Sequence, residues 1–486
     1  MLSIQRKLST SFYALLSLPA TGMGFALSVQ ISALSWILSN KYGLDIHDVG
    51  LVWAAGPIAG IIGQVLIGII SDNVWFWNGR RRPFILIGGV LAALMLLALP
   101  NIDVISEGLG IDGILGVAIT VALFLDLAIN VSFNPTRSII ADVTPEGEAR
   151  TKGYTWMQTI SGTFGVGAYA VGAIWDNYVL IYGGAVVVLL TAIVPPFFIE
   201  EPRELNSEEE ANTNTEKASF KSIVMSIQPL WGFLVYDIYA MTLRLAHIQV
   251  TNYWVEYICL AITILLIAKT LFTSDAGKSK SEANEIGFRK VLAAHSFSWV
   301  GVHTMFVYML FFIQDKYPSM AALDQGRIIS WSFLILNAVA AILPVLVLAP
   351  LSKKWGRVKT HYVCMAIMSA GYAGLVFFGQ LGPMMIYVLM ALCGIGWAAI
   401  ISLPFAIMSS QVEQSKMGLY MGLFNLSVVL PQLVASLGVG YAINQVEDKS
   451  LIFIISAISL AISFLAWTKV KDNSDEAELS QTGGGH

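Results

Sequence analysis

The stretch Gly68–Gly89, "GIISDNVWFWNGRRRPFILIGG", sets one acid, Asp72, and three consecutive arginines, Arg80, Arg81 and Arg82, between two long apolar runs. A short charged connector between runs of about 20 apolar residues is a loop between membrane-crossing helices. Lys and Arg collect on loops that face the cytoplasm, so this loop is expected there.

Composition agrees. Of 486 residues, 56% are hydrophobic and 12% are charged, and the mean hydropathy is +0.70, values foreign to a water-soluble chain of this length. The net charge of −4 is spread over the loops, which speaks against nucleic-acid binding and against a polybasic lipid anchor. Cys259, Cys364 and Cys393 lie in or beside apolar runs without CxxC spacing and read as packing residues. The first apolar run, 12–38, is too long for a signal-peptide core and lacks a small-residue cleavage site, so it is expected to stay as a membrane helix. The final Gly483–His486 is left out of the fold reading.

Divided by the length of a crossing helix, residues 1–200 give six spans, near 12–39, 47–70, 83–100, 113–136, 153–175 and 178–199. A Glu- and Asn-rich linker follows, "EEPRELNSEEEANTNTEK" at 200–217. Residues 290–470 give six more spans, near 290–314, 327–350, 359–379, 383–408, 417–443 and 450–468, before a polar tail at 471–486. Within 201–289 lie two further apolar segments, 221–243 and 253–273. Charge tests whether they cross. Arg6, Lys7, Arg80 to Arg82, Arg150, Lys152, Arg203, Lys217 and Lys221 fall on one side of the first six spans. Lys353, Lys354, Arg357, Lys359, Lys416, Lys469 and Lys471 stay on that side only if both extra segments cross or neither does. The expectation is an all-α polytopic membrane protein arranged 6+2+6, in the plasma (inner) membrane with both termini cytoplasmic.

The two six-span parts repeat each other. "SDNVWFWNGRRRPF" after span two matches "SKKWGRVKTHY" in the second part, each with a Ser followed by Gly-Arg. "NPTRSIIADVTPEGEARTKGY" between spans four and five matches "LPFAIMSSQVEQSKMGLY", with Pro135 opposite Pro404 and Gly153 opposite Gly418. A parallel repeat is the mark of a transporter built from two bundles.

A six-plus-six repeat with Gly-Arg-Arg after span two resembles the major facilitator superfamily, whose mechanism is rocking of two bundles about a central site. That resemblance implies a cytoplasmic gate at Asp72, Gly79, Arg80, Arg81 and Arg82; ordinary positive-inside topology accounts for the arginines equally well. A narrower resemblance is to the sucrose–proton symporters of plants and their animal and bacterial relatives. It rests on "WAAGPIAGIIGQVLIGIISD", "GRRRPFI", "LDLAINVSFNPTRSIIAD", "GIGWAAIISLPFAI" and "GLYMGLFNLSVVLPQLVASLG". It touches both halves and leaves out 221–273.

An ionisable group inside a bilayer costs about 3 kcal/mol on insertion scales and needs a reason to be there. Asp126 is the carboxylate near the middle of a clear span. At about 100° per residue, Asn130 lies about 40° and Arg137 about 20° round from it, on one helix face. Arg137 is about 16 Å further along the axis, too far to neutralise Asp126 in a straight helix. A carboxyl group without a local cation suits proton uptake and release. The resemblance implies the same, since the family's proton- and sugar-binding acid falls on Asp126. Arg137 is read either as a sugar ligand or as a partner of Asp72 in the gate.

Gln30 and Gln158 are candidate sugar ligands that serve equally as interhelical hydrogen-bonding groups, as do Asn425 and Gln432. Trp36, Trp53, Trp156 and Trp299 suit stacking on a sugar or a membrane interface. His295 and His303 share a face, and interhelical hydrogen bonding is the favoured reading over a proton relay. Aligned with the family's Leu-Phe-x-x-Asp, "LFFIQDKY" puts Gln314 where an acid is expected, which bears on stoichiometry and on the sugar.

The function expected is import of a disaccharide such as sucrose or maltose with a proton. A sodium-coupled or uncoupled sugar carrier is the alternative on the same fold, and a membrane sugar sensor the alternative from another class. A sensor is expected to carry a long signalling region, whereas a short tail follows Lys471. No HExxH, GxSxG or phosphate-cradling Gly loop is found, against an enzyme. The partners expected are a small-molecule sugar and the lipid bilayer, with the chain a monomer and the proton, as coupling ion, in place of any cofactor.

Overall fold

The structure, a computed structural model, describes residues 5, 7–61, 63, 70, 74–111, 113–145, 148–202, 220–246, 248, 252–412 and 417–471. Among these the regular structure is helical. Ten helices are long and apolar enough to cross a membrane by length and composition, and two shorter apolar helices, Ile46–Ile61 and Leu451–Trp467, join them.

The chain forms two compact units. The first holds Met1–Ala211 together with Tyr317–Leu334. Its helices are α1 (Thr10–Asn40), α2 (Ile46–Trp53), α3 (Arg82–Ala98), α4 (Ile102–Leu109), α5 (Ile114–Val143), α6 (Glu148–Ile174) and α7 (Asn177–Phe198). Helix starts follow capping chemistry. Ser9, Asp45 and Asp176 accept from the N–H groups of Phe12, Asp48 and Val179 at the heads of α1, α2 and α7. Gly110, in the left-handed region at φ 63°, ends α4.

Small residues let these helices pack closely. A Cβ at Gly89 would collide with Ala192 of α7, and one at Gly88 would lie 2.6 Å from the Ala128 carbonyl of α5, so α3 sits deep between both. Helix α1 packs along α6 and α7. At one end Phe12, Leu16, Ala20, Ile85, Ile139, Ile140, Met157 and Ile199 close into one apolar cluster. Helix α7 turns Ala185, Val188 and Ala192 inward and exposes Val186, Leu190 and Phe197, the outer face a lipid-exposed helix requires.

The second unit holds Asn212–Lys316 and Ile335–His486. Its described helices are α8 (Phe220–Ser226), α9 (Trp231–Leu245), α10 (Trp254–Phe272) and α11 (Lys280–Lys316). A helix shared with the first unit's segment, α12 (Ala322–Leu343), runs through a π segment, Pro344–Leu348, into α13 (Ala349–Trp355). Then come α14 (Arg357–Phe378), α15 (Pro383–Ser409), α16 (Met417–Val434), a second π segment, Ala435–Val439, α17 (Gly440–Asn444) and α18 (Leu451–Trp467). Helix α11 packs against α18, and α14 against α15 and α18.

One expectation changes. Pro135 and Pro404 sit inside α5 and α15 rather than in connections, so both helices run past the apolar stretch and carry Arg137 and Ser409 within regular helix. Of the extra pair, α10 is of crossing length. Helix α9, in the first extra segment, has 15 residues, shorter than the roughly 20 a crossing needs, so the described residues give one helix of crossing length for the pair.

Candidate functional site

Asp126 is 7% exposed on α5. Gln30 of α1, 4% exposed, donates from Nε2 to Asp126 Oδ2 at 2.9 Å. Among the described residues no cation pairs with Asp126, and Gln30 is the side chain that donates to it. A Cβ at Gly56 would lie 3.3 Å from Oδ2, so the missing side chain leaves the carboxyl its room. One turn above, Trp53 donates to Ser35 Oγ at 2.8 Å, fixing the start of the second span against α1.

The other residues expected beside Asp126 are placed as follows. Asn130 turns back onto its own helix, donating to the Asp126 carbonyl at 2.8 Å. Arg137 is exposed and stacks its guanidinium 4.1 Å over the Phe133 ring, the i−4 neighbour on the same face. Gln158 is exposed on α6. Thus the side chains of Gln30 and Asp126 are brought together, Asn130 bonds its own helix, and Arg137 and Gln158 make no described contact with them. Trp36 donates to the Ala322 carbonyl at 2.7 Å and meets Tyr178 edge-on.

The arginine loop makes a second site. Asp72 lies outside the described residues. Arg81 Nε pairs with Asp142 Oδ2 of α5 at 3.1 Å, the side chains 7% and 10% exposed. Glu201, just past α7, accepts at Oε2 from the Arg80 and Arg81 amides, each at 2.8 Å, and at Oε1 from the Arg82 amide at 2.7 Å. Three orphan donors at the head of α3 are thereby met by one carboxylate, which also sits at the positive end of the helix dipole. A Cβ at Gly79 would lie 2.7 Å from Glu201 Oε1, which is why glycine precedes the arginines. Arg82 donates to the Asn78 carbonyl at 3.4 Å.

Sequence reasoning missed Asp142 and Glu201. Asp142 was visible as the acid closing "SIIAD", and Glu201 as an acid directly after an apolar run, but both were absorbed into connecting sequence. In the second unit His303 Nε2 meets Ser436 Oγ at 3.0 Å between elements, as expected, whereas His295 accepts from Trp299 of its own helix at 2.9 Å.

Residues 16–436 match the family model of the Major Facilitator Superfamily. The chain belongs to the major facilitator superfamily. It is therefore a membrane transporter and not an enzyme. Distant relatives cover most of this facilitator. Sucrose transport protein SUT2 of Oryza sativa subsp. indica is 24% identical over 472 residues, 87% of this chain and 84% of the relative. Sucrose transport protein SUC4 of Arabidopsis thaliana is 22% identical over 464 residues, 87% and 82% of the two chains. The general alpha-glucoside permease of Schizosaccharomyces pombe is 28% identical over 190 residues, 35% of this chain and 34% of its own. Two solved structures show the same facilitator fold. The nucleoside transporter NupG aligns at a TM-score of 0.61 with 11% identity, over 95% of this chain and 99% of its own. The inward-open xylose transporter XylE from E. coli aligns at 0.58 with 16% identity, over 95% and 96%.

Proposed function

We propose that this facilitator is a secondary active transporter that imports a disaccharide of the sucrose or maltose type with a proton, by alternating access. The observation that carries the reading is Asp126, a carboxyl group buried in a helix of crossing length and met, among the described residues, by one amide and no cation. A permanent charge there costs about 3 kcal/mol or more. A carboxyl that takes up a proton on one side and releases it on the other is neutral for part of each cycle. Ionised, it accepts from Gln30. Protonated, its O–H is available to a sugar hydroxyl, so proton loading and sugar recognition fall on one group.

The sucrose transport proteins that match most of the chain support the choice of sugar. Asn130, Arg137 and Gln158 are the further polar groups that the first unit offers to the sugar. Asp72, Gly79 and Arg80 to Arg82 form the cytoplasmic gate in this reading, with Asp142 and Glu201 holding its arginine segment in shape. Helices α9 and α10 are the extra pair of a 6+2+6 arrangement. The basic loops favour a plasma (inner) membrane location with both termini cytoplasmic, and one chain carries the whole repeat, as a working monomer requires.

The test is sucrose and maltose uptake into proteoliposomes, with and without an inward proton gradient, for the native protein and Asp126→Asn. Gradient-driven uptake that the substitution abolishes is the expected result. Equal uptake by both proteins overturns the role of Asp126. Uptake driven by sodium instead identifies the sodium-coupled carrier, uptake indifferent to either gradient the uncoupled one, and sugar binding without uptake the sensor.

A further inference from the structure

A second buried carboxyl group lies in the other unit. Asp237 of α9 is 3% exposed, and among the described residues neither of its oxygens, both buried, has a hydrogen-bond partner. Helix α10 packs on α9 so closely that a Cβ at Gly232 would collide with Thr263. From α10, Glu256 and Cys259 face the same neighbourhood as Asp237: both carboxylates act electrostatically on Tyr236, and both act on Cys259. Glu256 is half-buried, and its Oε2 is buried and also without a partner. The remaining titratable groups of α9 nearby are Tyr236, Tyr239 and Arg244. Arg244 is exposed and two turns on, about 10 Å along the axis, so it is no counter-ion. The packed stretch of α16 carries no charged residue, only Tyr420, and the π segment carries none. Tyr308 of α11 stands at that segment, donating to the Ala435 and Ser436 carbonyls at 3.1 and 3.0 Å.

We propose that Asp237 is a proton-exchange site of the second unit, separate from Asp126, loaded and unloaded when the α9–α10 interface opens. Buried polar groups kept for structure are hydrogen-bonded, and this one is not. An apolar residue of similar size would pack there without desolvating a polar group. A metal or sodium ion needs several oxygen ligands, and the described residues hold no cluster of three His, Cys, Asp or Glu. What a lone carboxyl can still do is change charge. With the interface shut it stays the neutral acid, because among the described residues the ion has no donor and no cation. When water enters, the O–H bond breaks, the proton passes to water and the carboxylate remains, with Glu256 the next acceptor toward solvent. Proton release and interface opening are then one linked event.

The site adjoins a structure suited to movement. Tyr236 abuts Gly438 in the π segment Ala435–Val439, where a Cβ would collide with the tyrosine hydroxyl. A π turn is a strained interruption of regular helix and commonly marks functional positions. A rearrangement of α9 is therefore transmitted to the join between α16 and α17.

Infrared difference spectroscopy of the full chain in liposomes, stepped across neutral pH, tests the assignment without any sugar. The carbonyl stretch of a protonated carboxyl is read for the native protein, Asp237→Asn, Asp126→Asn and Asp237→Glu. The expected result is one protonated-carboxyl band that Asp237→Asn deletes, Asp126→Asn keeps and Asp237→Glu displaces. Superimposable native and Asp237→Asn spectra overturn the proposal. Should Asp237→Asn not fold, an undisplaced band in Asp237→Glu overturns it equally. Because no transport is measured, its failure is distinct from a failure of the sugar-import reading.

Discussion

Gln30 Nε2 donates to Asp126 Oδ2 at 2.9 Å, joining two helices across 96 residues of sequence. A hydrogen bond to an ionised partner contributes about 1.5–3 kcal/mol. Gln30→Leu leaves the carboxyl unoriented and, on the proposed sugar–proton import, should lower the initial rate of gradient-driven sucrose uptake at least about tenfold. An unchanged rate would show that the amide does not position the acid.

Glu201 satisfies three backbone amides at the head of α3. Glu201→Ala removes that cap and should cost about 1–3 kcal/mol, while Glu201→Gln, which keeps one acceptor oxygen, should lose less. Thermal unfolding of the purified protein gives the order: native above Gln above Ala. Equal melting temperatures for all three would mean that water replaces the carboxylate without loss.

The Arg81–Asp142 pair is nearly sealed from solvent. Removing one member of such a pair strands the other, at a cost of about 3–5 kcal/mol, whereas replacing both with apolar residues is often close to neutral. A double-mutant cycle on Arg81→Met and Asp142→Leu should give single variants far less stable than the double variant. Additive losses would argue that the two charges act independently.

Lys316 and Asp448 form a contrasting pair in the second unit, with Asp448 66% exposed. The Lys316 ammonium at 2.8 Å and the Ser450 amide at 2.9 Å hold the Asp448 carboxyl down at about 2. Its unfolded value is about 3.9. The stabilisation is therefore fully present above about pH 4 and is lost as pH falls toward about 2. Solvent screening keeps it below about 1 kcal/mol. Asp448→Asn should melt slightly below the native protein at neutral pH and together with it in acid. A gap that widens in acid would refute the assignment.

The residues also show where sequence reading stops. Asp126 stands out because a lone carboxylate in an apolar run is costly wherever the chain folds, so its importance needs no contact map. Its partner does not stand out: Gln30 is one of many polar residues in spans, and only the packing of α1 on α5 selects it. Asn130 and Arg137 lie on the predicted face, yet helical spacing fixes direction and not destination. Asn130 finds its own backbone and Arg137 finds Phe133 four residues back. The glycine and arginines of the loop were legible from their pattern, while Asp142 and Glu201, which hold them, come from the ends of two other helices. Pro135 suggested a helix end, but tertiary packing carried α5 on to Val143.

The first unit also brings the beginning and end of its main segment together. Gln5 donates to the Glu200 carbonyl at 2.8 Å and accepts from the Glu200 amide at 3.0 Å. A bundle whose ends meet is a self-contained cassette: it can be copied and fused in tandem with only a short connector, without disturbing either copy.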